Sequence, residues 1–339
     1  MSNAGTTIYQ HNAAPLAPFL ARDDVTELVI NEPGWIGVET RKGWEWHEAP
    51  SLDHASLMTL AKLIAGLTKQ DITTEYPICS SVLPGGERAQ IVIPPAVERG
   101  FVSITIRKAS GVTMDIDDFD RAGLFSEVRA YGASEEVDAA LLRHRDAGDW
   151  KAFFRIAVEA RKNILISGAT GSGKTSLSKG LIKLIPDYER ILTIEDTREL
   201  VVPQRNHVHM MYAKDGKSLQ KAGAKELLES ALRMRPDRIL LQELRDGTAF
   251  FYLRNVNSGH PGSITTVHAN SAEGALEQLT LLVKESEGGN DLDRHDIRAL
   301  LRSLVDIVVQ MHRLPPGDGK PARYRMTEVW FDPVGKPHD

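Results

Sequence analysis

The stretch that decides the fold runs from residue 163 to residue 175 and reads Asn-Ile-Leu-Ile-Ser-Gly-Ala-Thr-Gly-Ser-Gly-Lys-Thr. It opens with an apolar run suited to a buried strand and continues with the phosphate-binding loop pattern G-x-x-x-x-G-K-[ST]. Residues 176–185 then carry apolar side chains at helical spacing. Strand, glycine loop and helix follow in the order that this motif requires, so the sequence predicts an α/β sheet with a nucleotide site at its edge.

The phosphate loop gathers donors around one anion site. Its glycines let the backbone turn so that N–H groups face the phosphates, and the helix that follows adds its positive N-terminal end. Lys174 brings a charge to the β- and γ-phosphates and counts among the catalytic candidates, while the Thr175 hydroxyl is a natural Mg²⁺ ligand. ATP and Mg²⁺ are the expected cofactors. The candidate nucleotide-binding residues of the loop are Gly168, Thr170, Gly171, Ser172, Gly173, Lys174, Thr175 and Ser176.

Two other predicted strands end in acids. Residues 239–243 form an apolar run that ends in Glu243, and residues 191–195 form another that ends in Glu195, with Asp196 directly after it. Such an acid can orient the attacking water or hold Mg²⁺. Glu243 is the first candidate for the catalytic acid and also a candidate metal ligand, and Asp196 is a further metal candidate. Glu195 is the second catalytic candidate, and the sequence does not separate it from Glu243.

A histidine stands at the end of a further predicted strand. Residues 259–269 read Gly-His-Pro-Gly-Ser-Ile-Thr-Thr-Val-His-Ala, which is a glycine–proline loop, a strand and then His268. At that position a histidine can sense the γ-phosphate, although a lone histidine at a strand end is usually structural. Other histidines have no chemical motif beside them, and we interpret them as structural: His47, His54, His207, His209 and His295.

Four arginines flank the Glu243 strand: Arg233, Arg235, Arg238 and Arg245. Arginine neutralises phosphate charge across subunit boundaries. The alternative is that some of them pair with Glu226, Glu229 or Asp237 on a helix surface. The residues alone leave both roles open for each arginine.

The composition limits the class of protein. A length of 339 residues with 42% hydrophobic content suits two globular domains that each bury a core. The net charge of −5 gives no sign of nucleic-acid binding. The single cysteine, Cys79, excludes a disulfide framework and a four-cysteine zinc site within one chain. Apolar runs are shorter than the ~18 residues of a membrane span, and no signal peptide is recognisable, so we expect a cytoplasmic protein.

The chain is predicted to divide into four parts. These are a flexible arm (1–20), an N-terminal α+β domain (21–108), a linker with an acidic patch (109–134) and a P-loop ATPase domain (135–339). In the N-terminal domain we expect an amphipathic helix over 51–69 and a strand over 101–107. Ile104 and Ile106 then lie on one face of that strand and Arg107 on the other.

Together the motifs resemble those of the secretion ATPase superfamily, which includes type II secretion, type IV pilus and type IV secretion motors. The stretches GATGSGKT (168–175), ILTIEDTREL (191–200), LRMRPDRILLQELRD (232–246) and SGHPGSITTVHANS (258–271) follow the order of its four boxes. This match strengthens a functional role for His268. In the N-terminal half, LPGGERAQIVIPPAV (83–97) and FVSITIRK (101–108) are similar to the type IV secretion traffic ATPase.

The resemblance implies a RecA-like ATPase domain, a homohexameric ring and nucleotide held between the N- and C-terminal domains. It implies that Arg107, in the I-R-K stretch, and Arg235, in the R-M-R-P-D stretch, reach the phosphates. Expected partners are other secretion-system ATPases and inner-membrane components, with peripheral association at the cytoplasmic face of the inner membrane and no direct specific nucleic-acid binding. Gln242 departs from the pattern, because the superfamily usually has glycine before the acid.

Two alternatives remain open. One is a type IV pilus retraction-type ATPase of the same superfamily, although the LPGGER and IPPAV stretches are not expected in its N-terminal domain. The other is a P-loop translocase or nucleotide-dependent switch outside secretion. Type II secretion and pilus-assembly ATPases usually carry a four-cysteine zinc module, which a single cysteine cannot build.

Overall fold

A six-stranded antiparallel sheet forms the centre of the N-terminal domain in the computed structural model, which describes residues 3–108, 115–128, 136–213, 220–316 and 321–333. In space its strands lie in the order β3-β2-β1-β6-β5-β4. Ile104 and Ile106 of β6 are fully buried and Arg107 is exposed, as the alternation predicted. The strands are β1 (Val25–Ile30), β2 (Trp35–Thr40), β3 (Gly43–Glu48), β4 (Ile78–Val82), β5 (Arg88–Val92) and β6 (Ser103–Arg107).

The start of the chain corrects one prediction. Residues 3–20 form α1 (Asn3–Asn12) and α2 (Ala17–Leu20) instead of a flexible arm. Tyr9, Ala13 and Leu16 are buried in the hydrophobic core of the N-terminal domain. Tyr9 lies in α1, whereas Ala13 and Leu16 lie in the turn between the two helices. The end of α1 and this turn therefore pack against the domain.

The predicted amphipathic helix over 51–69 is present as α3 (His54–Leu67). It begins after Asp53, whose side chain accepts a hydrogen bond of 2.8 Å from the backbone N–H of Ser56 and so satisfies one free donor of the first turn. Its buried face includes Leu57, Leu60 and Ile64. The helix therefore covers the sheet with the residues that the sequence pattern selected.

Part of the predicted linker lies outside the described residues, namely 109–114 and 129–134. The part that is described, 115–128, contains the short helix α4 (Ile116–Arg121), which starts at a capping box formed by Asp115 and Asp118. This helix buries none of its residues.

The second half of the chain alternates strands and helices, as expected for an α/β domain. Its helices are α5 (Glu136–Asp146), α6 (Trp150–Glu159), α7 (Lys174–Ile182), α8 (Ala224–Ala231), α9 (Thr248–Val256), α10 (Ala272–Glu285) and α11 (Arg294–Leu304). Its strands are β7 (Ile164–Gly168), β8 (Ile191–Glu195), β9 (His207–Met211), β10 (Arg238–Leu241), β11 (Ile264–Val267), β12 (Ile307–Leu314) and β13 (Arg323–Trp330). No helix of the described residues is long and apolar enough to cross a membrane.

The order of these strands positions the site. One sheet has the order β10-β8-β9 and the other β11-β7-β12-β13, with parallel pairing throughout except between β12 and β13. A parallel bridge between Glu243 and Thr266 joins the end of β10 to β11, so the two sheets continue into each other. The carboxyl ends of β8, β10, β11 and β7 therefore lie side by side, where ligands of such sheets bind.

Buried polar contacts join the two domains. The guanidinium of Arg190, which is fully buried, donates to Asn31 Oδ1 at 2.8 Å and to Thr105 Oγ1 at 3.2 Å. Gln90 Nε2 donates to Ser230 Oγ at 2.8 Å. Because a buried polar group is stable only when it is hydrogen-bonded, these contacts fix the docking of the N-terminal domain on the ATPase domain.

Candidate nucleotide-binding and catalytic site

The phosphate loop has the backbone geometry that its glycines allow. Gly168, Gly171 and Gly173 adopt φ values of +153°, +73° and +93°. A Cβ at Gly168 would lie 2.5 Å from both the carbonyl oxygen of Met311 and the hydroxyl of Ser172, so only glycine fits there. The helix α7 begins directly after Gly173, which directs its N-terminal N–H groups towards the loop.

The other loop residues divide by exposure. Thr170, Gly171 and Ser176 are exposed, Thr175 is half-buried in the first turn of α7, and Ser172 is buried. The exposed positions leave one side of the loop open to a ligand. The half-buried Thr175 hydroxyl is therefore placed next to the loop, as a Mg²⁺ ligand of a bound nucleotide must be.

Lys174 folds back over the loop. Its side chain is only 7% exposed, and its Nζ donates to the carbonyl oxygens of Gly168 at 2.7 Å and Ala169 at 3.0 Å. Burial lowers the pKa of the Lys174 ammonium, and the charge of Glu243 opposes that shift. The ammonium is thus held beside an acid at the place where the motif binds phosphate.

A contact chain connects the loop to two of the predicted catalytic residues. Lys174 Nζ lies 3.4 Å from His268 Nδ1, and His268 Nε2 lies 2.7 Å from Glu243 Oε1. The His268 side chain is 49% exposed and that of Glu243 is 19% exposed, so both can reach a ligand. The structure therefore brings Lys174, His268 and Glu243 together.

Arg245 links the two acidic strand ends. It forms an ion pair with Asp196, and its Nη1 lies 3.6 Å from Glu243 Oε2. From the sequence, Arg245 is one of four arginines near the Glu243 strand, and its position two residues after Glu243 is the signal that distinguishes it. Its single positive charge offsets part of the negative charge of the two carboxylates at the edge of the site.

Glu195 has a different environment. Its carboxylate is fully buried and accepts hydrogen bonds from the backbone N–H groups of Glu199 and Leu200, both at 2.8 Å, from Thr193 Oγ1 at 2.7 Å and from His209 Nδ1 at 3.0 Å. Burial raises the pKa of the Glu195 carboxyl, but these hydrogen bonds outweigh burial and hold the pKa below its ordinary value.

Among the described residues, Glu195 makes no hydrogen bond or ion pair with Lys174, Glu243 or His268. The structure therefore does not bring the second catalytic candidate into the contact chain. His209, which has no chemical motif beside it in the sequence, is one of the four donors that hold Glu195.

Arg107 and Arg235 line a cleft of about 710 Å³ between the two domains. Arg88, Arg233 and His260 line it too, and none of the phosphate-loop residues does. The structure therefore separates these two predicted phosphate contacts from the phosphate loop of the same chain.

The two arginines of the cleft have acidic neighbours. Arg107 is 63% exposed and lies 3.4 Å from Glu27, whose pKa is raised to about 7 by burial against the opposing charge of Arg107. Arg235 pairs with Glu39 and, at 2.8 Å, with Asp237. The cleft therefore carries a positive charge that its own acids only partly balance.

Arg238, the fourth arginine near the Glu243 strand, is structural. It is fully buried, its Nε lies 2.6 Å from Glu189 Oε2, and its Nη2 donates to the carbonyl oxygen of Val158 at 2.7 Å. It also donates to the carbonyl oxygen of Gly262 at 3.3 Å. Arg238 thereby holds the loop that leads into β11 and His268.

The residues present fit Mg²⁺ that arrives with a nucleotide. Among the described residues, no group of three or more His, Cys, Asp or Glu side chains is arranged to hold a metal ion alone. Mg²⁺ usually keeps several waters and is held by one or two protein oxygens together with substrate phosphates. Thr175 in the first turn of α7 and Glu243 beside His268 supply such oxygens, and Asp196 is connected to Glu243 through Arg245.

The sequence matches a known family over most of its length. Residues 54–317 match the family described as Type II/IV secretion system protein. The chain is 52% identical to the type IV secretion system protein VirB11 of Bartonella henselae, over 98% of this chain and 95% of that protein. It is 43% identical to the type IV secretion system protein PtlH homolog of Bordetella bronchiseptica, over 93% of each.

A solved structure also matches this chain over nearly its full length. The crystal structure of the VirB11 ATPase from the Brucella suis type IV secretion system, in complex with sulphate, superposes with a TM-score of 0.90 at 40% identity, covering 97% of this chain and 96% of the other. The chain therefore belongs to the type II/IV secretion system protein family. The predicted resemblance and the α/β fold class are confirmed.

Proposed function

We propose that the chain is a Mg²⁺-dependent ATPase that forms a homohexameric ring and energises type IV secretion from the cytoplasmic face of the inner membrane. The observation that carries the ATPase assignment is the contact chain from Lys174 through His268 to Glu243. Relatives that are type IV secretion system proteins over nearly their full length support the role in secretion. Its partners are then other secretion-system ATPases and inner-membrane components.

The chemistry follows from the charges around the loop. Lys174 and the loop N–H groups bind the β- and γ-phosphates. Thr175, Glu243 and Asp196 are the residues that would hold Mg²⁺, which when bound would neutralise phosphate charge. Glu243 orients a water towards the γ-phosphorus and accepts its proton, so that ATP and water give ADP and inorganic phosphate. His268 contacts both Glu243 and Lys174 and senses the γ-phosphate.

Glu243 suits this role better than Glu195. Its carboxylate is partly exposed and lies next to the charge of Lys174, whereas every hydrogen bond that Glu195 accepts fixes it inside the protein. A general base must reach the proton that it abstracts. We therefore propose that Glu243 orients the attacking water and that Glu195 has a structural role through the hydrogen bonds it accepts.

A ring gives the arginine cleft a function. Arg107 and Arg235 lie apart from the phosphate loop of their own chain, yet arginine supplied by a neighbour is a common way to neutralise a transferring phosphate and changes kcat by roughly 10³–10⁵. In a head-to-tail ring each cleft faces one phosphate loop of the next copy. Nucleotide is then held between the N- and C-terminal domains of different copies.

The test mixes two inactive variants. Lys174→Ala removes the phosphate-binding charge of the loop, and Arg107→Ala removes a charge of the cleft, so we expect each to lose ATP turnover while circular dichroism shows a folded protein. Random mixing leaves about a quarter of the interfaces with an intact loop facing an intact cleft, so phosphate release should recover in the mixture. Lys174→Ala mixed with Glu243→Gln is the control, because both changes lie on the same side of the interface.

Each part of the proposal has an outcome that contradicts it. Near-parental phosphate release from folded Lys174→Ala contradicts the ATPase assignment. A monomer in light scattering at high concentration with ATP and Mg²⁺ contradicts the ring. Absence of recovery in a mixture that is hexameric places Arg107 in its own chain's site.

A further inference from the structure

The hairpin of β12 and β13 extends past the phosphate loop. Strand β7 ends at Gly168, which pairs with Met311 of β12. Beyond Met311, β12 continues through His312, Arg313 and Leu314, still paired with β13. This part of the hairpin therefore forms a wall at the carboxyl edge of the sheet, directly beside the loop that binds phosphate.

Tyr324 of β13 lies against the loop. A Cβ at Gly173 would be 3.1 Å from Tyr324 Cδ1 and 3.4 Å from its Cγ, so the ring covers the backbone of the residue that precedes Lys174. Tyr324 is nevertheless 60% exposed. One part of the ring thus packs on the phosphate loop while most of its surface stays open to a ligand.

Arg313 adds a charge on the same side of the wall. It is the residue directly opposite Tyr324 in the antiparallel pair, and directly opposed residues share a face of the sheet. Arg313 is exposed and forms no ion pair within the described part of the chain. Arg323 and Arg325, the neighbours of Tyr324 in β13, point to the opposite face because strand residues alternate.

We propose that Tyr324 is the stacking platform for the base of the nucleoside triphosphate whose phosphates occupy the loop, with Arg313 beside it. The proposal rests on the proposed function, because it concerns the same nucleotide. An aromatic ring that lies next to a phosphate loop and keeps an open surface offers the π-face that every base can use. Stacking discriminates nucleotides from bare polyphosphate, and it discriminates ATP from GTP only weakly.

The experiment compares two probes that differ only in whether they carry a nucleoside. Binding of ATP and of inorganic tripolyphosphate, both with Mg²⁺, is measured by calorimetry for the parent, Tyr324→Ala and Tyr324→Phe. Loss of one base stack is expected to raise the Kd for ATP about 10-fold in Tyr324→Ala. The Kd for tripolyphosphate should stay unchanged, and Tyr324→Phe should bind ATP like the parent because it retains the ring.

Two control variants check that the effect belongs to this face. Tyr188→Ala removes an exposed tyrosine elsewhere in the same domain, and Arg325→Ala removes a charge from the opposite face of β13. Both should bind ATP like the parent, while Arg313→Ala should weaken ATP binding by a smaller factor than Tyr324→Ala.

The possible outcomes distinguish a failure of the stacking proposal for Tyr324 from a failure of the proposed nucleotide site. Unchanged ATP affinity in Tyr324→Ala overturns the proposal, and so does an equal loss for ATP and tripolyphosphate, which would mean that the ring only supports the loop. A parent protein that binds neither probe overturns the proposed function, and the platform with it.

Discussion

Two strand ends of the ATPase domain share a sequence pattern and differ in environment. Glu243 follows the apolar strand β10, and Glu195 ends the apolar strand β8. Glu243 contacts His268 beside the phosphate loop, whereas Glu195 is buried and hydrogen-bonded to His209 and to two backbone N–H groups. The position of an acid at a strand end therefore does not by itself make it a site residue. The neighbouring strand must also place it beside the phosphate loop.

The sheet order explains the difference. Strand β8 lies between β10 and β9, so the end of β8 meets His209 of β9. Glu243 instead bridges to β11, and β11 pairs with β7, which leads into the phosphate loop. Glu243 is thus on the side of the sheet where the phosphates bind, and Glu195 is on the side where the N-terminal domain docks through Val97 and Met210.

The largest expected effect is the loss of ATP hydrolysis in Glu243→Gln. The amide keeps the shape of the side chain and one acceptor for His268, but it cannot accept the proton of the attacking water. A positioned acid–base group contributes roughly 10²–10⁴-fold in rate, so kcat should fall by about that factor while ATP binding persists. Phosphate release and calorimetric binding of ATP measure the two effects separately.

The same measurements on Glu195→Gln decide which of the two acids is the catalytic one. If Glu243→Gln hydrolyses ATP at the parental rate while a folded Glu195→Gln is inactive, the catalytic role belongs to Glu195. Glu243 would then hold Mg²⁺ or support the site.

Sequence patterns predict the parts of this site that depend on local sequence. The phosphate loop, the acids at strand ends and the strand that ends at His268 depend on neighbouring residues in the chain, so the sequence predicts them without the order of the strands. Strand β9 was not predicted, because its five residues include only one side chain of high β-propensity, Val208, so its short alternation of histidine and apolar residues is a weak signal. Since β9 is the partner of β8, its absence from the prediction left the environment of Glu195 open.

The second-largest effect is a loss of stability in Glu195→Gln. The amide nitrogen of glutamine is a donor, so one of the buried donors of Glu199, Leu200, Thr193 or His209 loses its acceptor. An unsatisfied buried donor costs about 1–3 kcal/mol, and we expect the free energy of unfolding to fall by that amount. Urea unfolding at pH 7 measures it, with Glu243→Gln, whose site is partly exposed, as the control that should unfold like the parent.

A smaller effect is expected in the pH dependence of the free energy of unfolding. The pKa of Glu195 is lowered in the folded protein, so its ionised form stabilises the fold above the unfolded pKa of 4.5, and this contribution is lost as the pH falls through the folded pKa. The difference in free energy of unfolding between the parent and Glu195→Gln should therefore narrow below pH 4.5. Unfolding curves at constant ionic strength between neutral and acidic pH test this, and a difference that stays constant to the lowest pH would contradict it.

The smallest effect is expected at Gln242, the residue before Glu243 where the resemblance leads one to expect glycine. Its backbone N–H donates to the carbonyl oxygen of Ile194 at 3.1 Å, and its carbonyl oxygen accepts from Thr266 Oγ1 at 3.1 Å. The main chain at Gln242 thus ties the end of β10 to both neighbouring strands, and the direction of Glu243 depends on these backbone bonds.

Gln242→Gly keeps both backbone bonds and removes a side chain whose amide oxygen is buried without a hydrogen-bond partner in the described structure. Glycine costs roughly 0.5–1 kcal/mol in chain entropy within a strand, and the loss of an unsatisfied polar atom offsets part of that cost. Because the backbone bonds that direct Glu243 are kept, we expect ATP turnover within about a factor of 3 of the parent. This factor corresponds to a change of about 0.7 kcal/mol in the activation free energy. A loss approaching that of Glu243→Gln would show that the Gln242 side chain itself positions the acid, and the two strand ends would then differ in their own sequence as well as in their neighbours.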